Sequence, residues 1–448
     1  MADELLDIAE RVAAQAGTDE QVEAYVARAR DTDVKVFDGE VESLSSAETE
    51  GVGVRVVQGN RQGFAYAGSL EPGAVADALN EARDNAGFGS EDEYLGLPEP
   101  DGVSPAQLDL YRADLAKVAA DDKVALALEV ERATRAADSR IRGVETAEYG
   151  DAAVEAAVAS STGVRAQVRR TVCSVYAYAL AGEGSETQTG YGYSVGRHPD
   201  ELDVPKAAGM AAERATQMLG ATQPGSRKVT VVLDPLVTAQ FLGVLSAALS
   251  GEAVLKGRSM FADRVGEAVA ASRFTLTDDP TNPEAFGAAP FDAEGLATRH
   301  NVLVEDGVLR SFLQNTYSGR RSGTASTGSA VRAGFKSTPG VGARALSLVP
   351  GDKTQDELLA EVGDGLLVRS AIGLHSGANP VSGDFSVGVE GLMIREGALA
   401  EPVREATVAS TLQRMLKDVA AVGSDLEWLP GGAAGVTVVI GDVSLSGS

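Results

Sequence analysis

Leu5, Leu6, Ile8, Ala9, Val12 and Ala13 recur at helical spacing, with Gly17 placed as a C-cap, and predict an amphipathic helix over residues 3–16. The period then changes. Apolar residues tend to alternate with polar ones over 22–29, around Val34, Val36 and Val41, over 51–57 and over 63–67, with Gly59-Asn60 as a turn. This pattern predicts an antiparallel meander. Helical spacing returns at 72–87, a Gly-, Pro- and acid-rich stretch over 87–110 reads as a surface loop, and 121–138 reads as a second amphipathic helix. Alternation resumes over 141–193, broken at Ser161-Thr162-Gly163 and Gly182-Glu183-Gly184, and a helix over 203–219 ends at Gly220.

Past residue 225 the pattern is different. A strand over 228–233 leads into Asp234-Pro235, an N-cap followed by proline at the first helical position, and a helix to residue 249. Short strands follow at 274–277, 302–304, 308–312, 345–349, 387–394 and 436–440 among Gly-rich turns, with short helices near 355–363 and 407–418. The expected class is α+β with two domains. Residues 1–225 would form an N-terminal α/β domain, its meander flanked by helices. Residues 226–448 would form a mainly antiparallel β domain, barrel- or sandwich-like.

Charge narrows the functions. The net charge is -26, and no basic stripe interrupts it. Nucleic-acid binding needs Lys and Arg to displace counterions, so direct contact with DNA or anionic lipid is not expected. The same acidity suits a salt-adapted source and simple solubility equally. Cys173 is the sole cysteine, which rules out an intrachain disulfide or a CxxC site. The acidic, helical start lacks the layout of a signal peptide, and no apolar run approaches the roughly 20 residues that span a bilayer, so the expected location is the cytoplasm.

Candidate chemistry is sparse. Of the histidines His198, His300 and His375, no two lie four or five residues apart, so no helix face presents two imidazoles to a metal. His198 and His300 read as surface or hydrogen-bonded residues; His375, before a Gly-rich turn, is the strongest candidate for a role. A Ser-His-Asp set would draw on His375, Ser376 or Ser382, and Asp384, but no G-x-S-x-G elbow accompanies it. Cys173 sits among alternating strand residues and reads as a packed thiol, and no phosphate-binding glycine loop is present. The segment Asn379-Pro-Val-Ser-Gly-Asp-Phe-Ser386 places two turns in eight residues and predicts a rigid corner.

In order and spacing, a series of segments resembles the TldD/PmbA family over nearly the whole chain. They are Ser250-Gly-Glu-Ala-Val-Leu-Lys-Gly-Arg-Ser259, Val265-Gly-Glu267, Phe274-Thr-Leu-Thr-Asp-Asp-Pro280, Phe291-Asp-Ala-Glu-Gly295, Val304-Glu-Asp-Gly-Val-Leu309, Gly363-Asp-Gly-Leu-Leu367, 379–386 and Ala421-Val-Gly-Ser-Asp425. TldD-type members carry H-E-x-x-x-H on the helix assigned here to 235–249 and a cysteine near the C-terminus, which together hold zinc. Here the two ligand positions fall on Leu242 and Ala247, Gly243 replaces the glutamate, and 426–435 has no cysteine. Aliphatic side chains hold no zinc, so the resemblance is to the metal-free TldE/PmbA branch. It implies a subunit without a metal or catalytic residue of its own, paired with a zinc-bearing TldD-like partner or with itself, around a channel that admits unfolded peptide. Strand addition along a sheet edge is the expected mode of holding that peptide. Arg258, Ser259, His375, Asn379, Pro380, Ser382, Gly383 and Asp384 are the candidates for lining the channel or interface. The family's description as a modulator of DNA gyrase would then reflect an indirect effect. The other readings are a homodimeric peptide-binding scaffold and a peptidase built on His375 and Asp384.

Overall fold

In a computed structural model, which describes residues 2–447, the alternating segments of the first half form one sheet. Strands β1 (Glu20–Phe37), β2 (Glu40–Gln58), β3 (Arg61–Ala67), β4 (Ile141–Ser160), β5 (Arg165–Ala181) and β6 (Gln188–Gly196) lie in the order β3-β2-β1-β4-β5-β6. Every neighbouring pair is antiparallel. The runs over 22–29 and around 34–36 are one long strand. It reverses at Asp38-Gly39, both at positive φ (52° and 80°), the backbone that a two-residue hairpin turn requires.

Helices α1 (Ala2–Ala13), α2 (Pro72–Phe88), α3 (Ala120–Ala137) and α4 (Val204–Gln217) cover one face of this sheet. Val22, Val26, Val52 and Val56 pack under α1 and α2, while Val34, Val36, Tyr149 and Val175 pack under α3 and α4. Gly190 and Gly192 let α4 lie close on β6. A Cβ at these positions would stand 2.2 Å from the Ala211 carbonyl oxygen and 2.0 Å from that of Ala207.

Strand β7 (Arg227–Leu233) runs into α5 (Pro235–Ala248), whose N-cap Asp234 accepts a hydrogen bond from the Leu236 N–H at 3.1 Å. β7 pairs in parallel with strand Gly365–Ile372 and antiparallel with strand Val438–Ser446. Strands Asp384–Arg395 and Ala398–Thr411 continue from Gly365–Ile372, and the latter pairs back onto Val438–Ser446. The ring closes into a five-stranded barrel, so the α+β class with a barrel-like second half holds. α5 packs Phe241, Leu242 and Leu245 into the core it shares with Val231, Leu366, Phe385 and Val438.

Two local expectations change. Residues 407–411 end a strand, because Ala406 and Val408 alternate into the core, and the helix is only Leu412–Lys417. Strands Gly365–Ile372 and Ala398–Thr411 were not legible: the first shows a continuous apolar run at its start, the second carries Glu401, Pro402 and Glu405.

The two halves are joined through buried charge. Arg55 on β2 contacts Glu23 at 2.5 Å and Glu294 at 3.3 Å, and Arg332 contacts Glu23 at 2.7 Å. Burial opposes ionisation of Glu23, but the adjacent Arg55 and Arg332 outweigh it and hold its pKa below the ordinary value. Among the described residues, no helix is long and apolar enough to cross a membrane.

Candidate functional site

α5 is apolar almost all round, yet only part of it is covered. Val237, Phe241, Leu242, Leu245 and Ala248 point into the core. Leu236, Ala239, Gln240, Gly243 and Ser246, spaced at three and four residues, form one stripe along a cleft of about 380 Å³. The facing wall is Tyr191 and Tyr193 of β6, and the rim is Ala343, Leu346 and the turn containing Leu429, Pro430, Gly432 and Ala433. No lining residue carries a charge at neutral pH. The Tyr193 phenol is buried, at 3% exposure, and its oxygen has no hydrogen-bond partner among the described residues. Burial, with a further contribution from Glu427, raises its pKa above the ordinary tyrosine value.

Tyr191 and Tyr193 belong to a tyrosine ladder on β5 and the edge strand β6. On β5, Tyr176 stands opposite Tyr193 and Tyr178 opposite Tyr191. Ring centroids are 4.9 Å apart for Tyr178–Tyr191 and 5.5 Å for Tyr191–Tyr193, within the range of favourable aromatic pairs. A larger hollow, about 630 Å³, lies elsewhere, near Arg273, Asp352, Lys353 and Glu361. Lys353 is paired with Glu361 at 2.5 Å and Arg273 is bound to the Ala420 carbonyl, so its principal cations already have partners.

The residues present do not fit zinc. Leu242 is fully buried in the core, while Gly243, at the cleft, and Ala247 are both exposed. The cleft offers only neutral oxygens and the Gln240 carboxamide. Among the described residues, no group of three or more His, Cys, Asp or Glu is placed to hold a metal.

The loop candidates form a second cluster. The Pro380 carbonyl accepts from the Met260 N–H at 3.0 Å, joining 379–384 to the Arg258-Ser259 turn across more than a hundred residues of sequence. Ser259 is buried and donates to the Ala248 carbonyl at 2.5 Å, which ties that turn to the end of α5; Arg258 is exposed. The Asn379 side chain accepts from the N–H groups of Val381 (2.9 Å) and Ser382 (3.3 Å), as an Asx turn. Gly383, at φ 85°, is enclosed by Gln413, which donates to the Ser382 carbonyl at 3.1 Å. The Ser382 hydroxyl donates to Asp384 at 2.7 Å, not to His375, which is exposed. Ser376 donates to the Gly373 carbonyl at 3.1 Å. No Ser-His-Asp chain forms. His198, largely buried, faces Asp200 at 3.3 Å and accepts from the Asp200 N–H, while exposed His300 faces Asp279 at 3.1 Å.

Three family models match the chain: the PmbA/TldA metallopeptidase domain 1 over residues 22–86, the central domain over 113–219 and the C-terminal domain over 226–447. The chain belongs to the PmbA/TldD family. The metalloprotease PmbA of Escherichia coli O157:H7 is 27% identical over 414 residues, 92% of this chain and 89% of that protein. A Bacteroides thetaiotaomicron protein described as a modulator of DNA gyrase superposes with TM-score 0.89 at 28% identity, covering 100% of this chain and 99% of that one. TldE from Thermococcus kodakarensis shares the fold, with TM-score 0.87, 23% identity and full coverage of both chains. Within this PmbA/TldD fold, the α5 cleft was not found from the sequence. Its walls lie some fifty residues apart, and the available signals were Tyr191-x-Tyr193 on a strand and the polar breaks Gln240, Gly243 and Ser246 in an apolar helix.

Proposed function

We propose that this chain is the non-catalytic, TldE/PmbA-type subunit of a two-subunit metallopeptidase that processes unfolded peptides, with zinc held by a TldD-like partner. The observation that carries this reading is the α5 face: it fronts a cleft but presents no imidazole, thiolate or carboxylate. A neutral lining of this kind has no group to generate a metal-bound nucleophile. A partner surface is also available. The sheet face opposite the helices carries Ala27, Ala29, Ala152, Val154 and Val172, all half-buried with no helix over them, and continues into the tyrosine ladder. It also carries Asp31, Asp33, Glu148 and Arg170, so a partner docked there would meet small apolar residues interspersed with charge. The same face suits a second copy, which is the homodimeric scaffold reading.

The deciding experiment assays an unstructured peptide with the chain alone and with a TldD-like subunit, with bound metal quantified. Zinc-dependent cleavage only in the mixture, with no metal on this chain alone, is expected. Cleavage by the chain alone with stoichiometric metal refutes the reading; a stable self-dimer that neither binds nor stimulates the partner favours the scaffold.

A further inference from the structure

We propose that the uncharged cleft between β6 and α5 is a peptide-binding subsite that takes one or two residues of an extended chain bearing an uncharged, apolar side chain. The proposal takes its ligand class, unfolded peptide, from the subunit reading above. It assigns this chain a direct role in holding substrate rather than only in completing an assembly.

Four observations converge. First, the protein carries a net charge of -26, yet none of the 13 cleft-lining residues is charged. A charged side chain entering it would lose hydration without gaining a counter-ion. Second, the cleft holds polar groups with no protein partner. The Tyr193 hydroxyl is buried and unsatisfied, and at the solvent-facing side the exposed Gln240 carboxamide and half-buried Ser246 hydroxyl are free of bonds to other described residues. A carboxamide presents one acceptor and two donors, the complement of a peptide backbone N–H and C=O. Third, the volume of about 380 Å³ lies at the small end of ligand pockets, roughly 300–1,000 Å³, and fits a short segment rather than a folded partner. Fourth, the mouth of the cleft is left open by composition at the exposed Gly243. Gly243 lies inside a helix, where glycine is a poor choice, and a Cβ built there would meet nothing within 4 Å. The tyrosine ladder then supplies a stacking surface from the open sheet face into the cleft.

The test uses the full chain without a partner. Trp428 packs against the Leu110, Ala285, Ala288 and Ala345 cluster outside the cleft, so binding is followed by isothermal titration calorimetry. The probe is an unstructured decapeptide of Gly, Ser and Leu, compared with one in which Glu replaces Leu. Saturable binding of the first, at least about tenfold tighter than the second, is expected. Gly243→Phe should fill the cleft and abolish binding while leaving the thermal midpoint unchanged or raised, because a glycine leaves the helix. Tyr193→Phe removes only the unpartnered hydroxyl and should weaken binding about fivefold. Equal binding by wild type and Gly243→Phe, or no saturable binding up to about 1 mM peptide, overturns the proposal. If that failure occurs while Gly243→Phe still supports zinc-dependent cleavage in the mixture, the subunit reading stands without the subsite. Gly243-dependent binding with no cleavage on mixing leaves the subsite standing and removes the subunit reading.

Discussion

Arg55 holds the two halves of the molecule together, and Arg55→Met should show by how much. The Arg55, Glu23 and Glu294 side chains are 6%, 1% and 1% exposed, so their charges have little water to fall back on. Arg332 adds a second cation, and the buried Asp292 beside Glu294 adds a third acidic group. Removing Arg55 leaves Glu23 its contact with Arg332 at 2.7 Å, but leaves Glu294 only the Thr316 N–H at 2.9 Å. Breaking a buried pair by removing one partner costs about 3–5 kcal/mol, and the surviving contacts place this change near the lower end, about 3 kcal/mol. The double variant Arg55→Met/Glu294→Gln removes one charge of each sign and should recover to within about 1 kcal/mol of wild type, since apolar replacement of a buried pair is often neutral. Urea unfolding followed by Trp428 fluorescence measures both.

The pH dependence has a definite sign. Glu23 has a folded pKa below the ordinary 4.5, so its stabilisation is present above that value and lost as pH falls through the folded pKa. The deficit of Arg55→Met should therefore be largest near neutrality and shrink in acid. A single variant within about 1 kcal/mol of wild type, or a double variant no better than the single, would refute the reasoning.

Other outcomes follow from particular contacts. Asp234, at 1% exposure, caps α5 and pairs with Arg214 at 2.9 Å and Arg369 at 2.8 Å, so Asp234→Ala should cost about 3 kcal/mol in urea unfolding. Gly383→Ala forces a side chain onto φ 85° and 1.9 Å from the Gln413 side-chain oxygen. It should cost about 1–3 kcal/mol and speed amide exchange over 379–386. Burial, with Glu201 and Asp151 adding to it, pushes the Cys173 thiol up to about 12, so a thiol reagent at pH 8 should modify it only after urea unfolding. Rapid labelling of the folded protein would show that the β4–β5–β6 region opens.

Local pattern carried much of this protein. Alternation marked the strands of the first sheet because one face of each is buried, and side chains in a strand change face at every residue. Asp234-Pro235 marked the start of α5, since a cap and a first-turn proline act within a few residues.

What the sequence left open was which surfaces meet. Barrel closure depends on Thr407–Ala409 pairing with Ser444–Ser446, and neither segment has a local feature that specifies the other. The contact between Pro380 and Met260 is of the same kind. The helical period of α5 names two faces, but only packing decided that Leu242 turns inward while Gln240 and Gly243 front Tyr191 and Tyr193. A cleft between distant segments is set by long-range packing free energy, and no window of a few residues contains it.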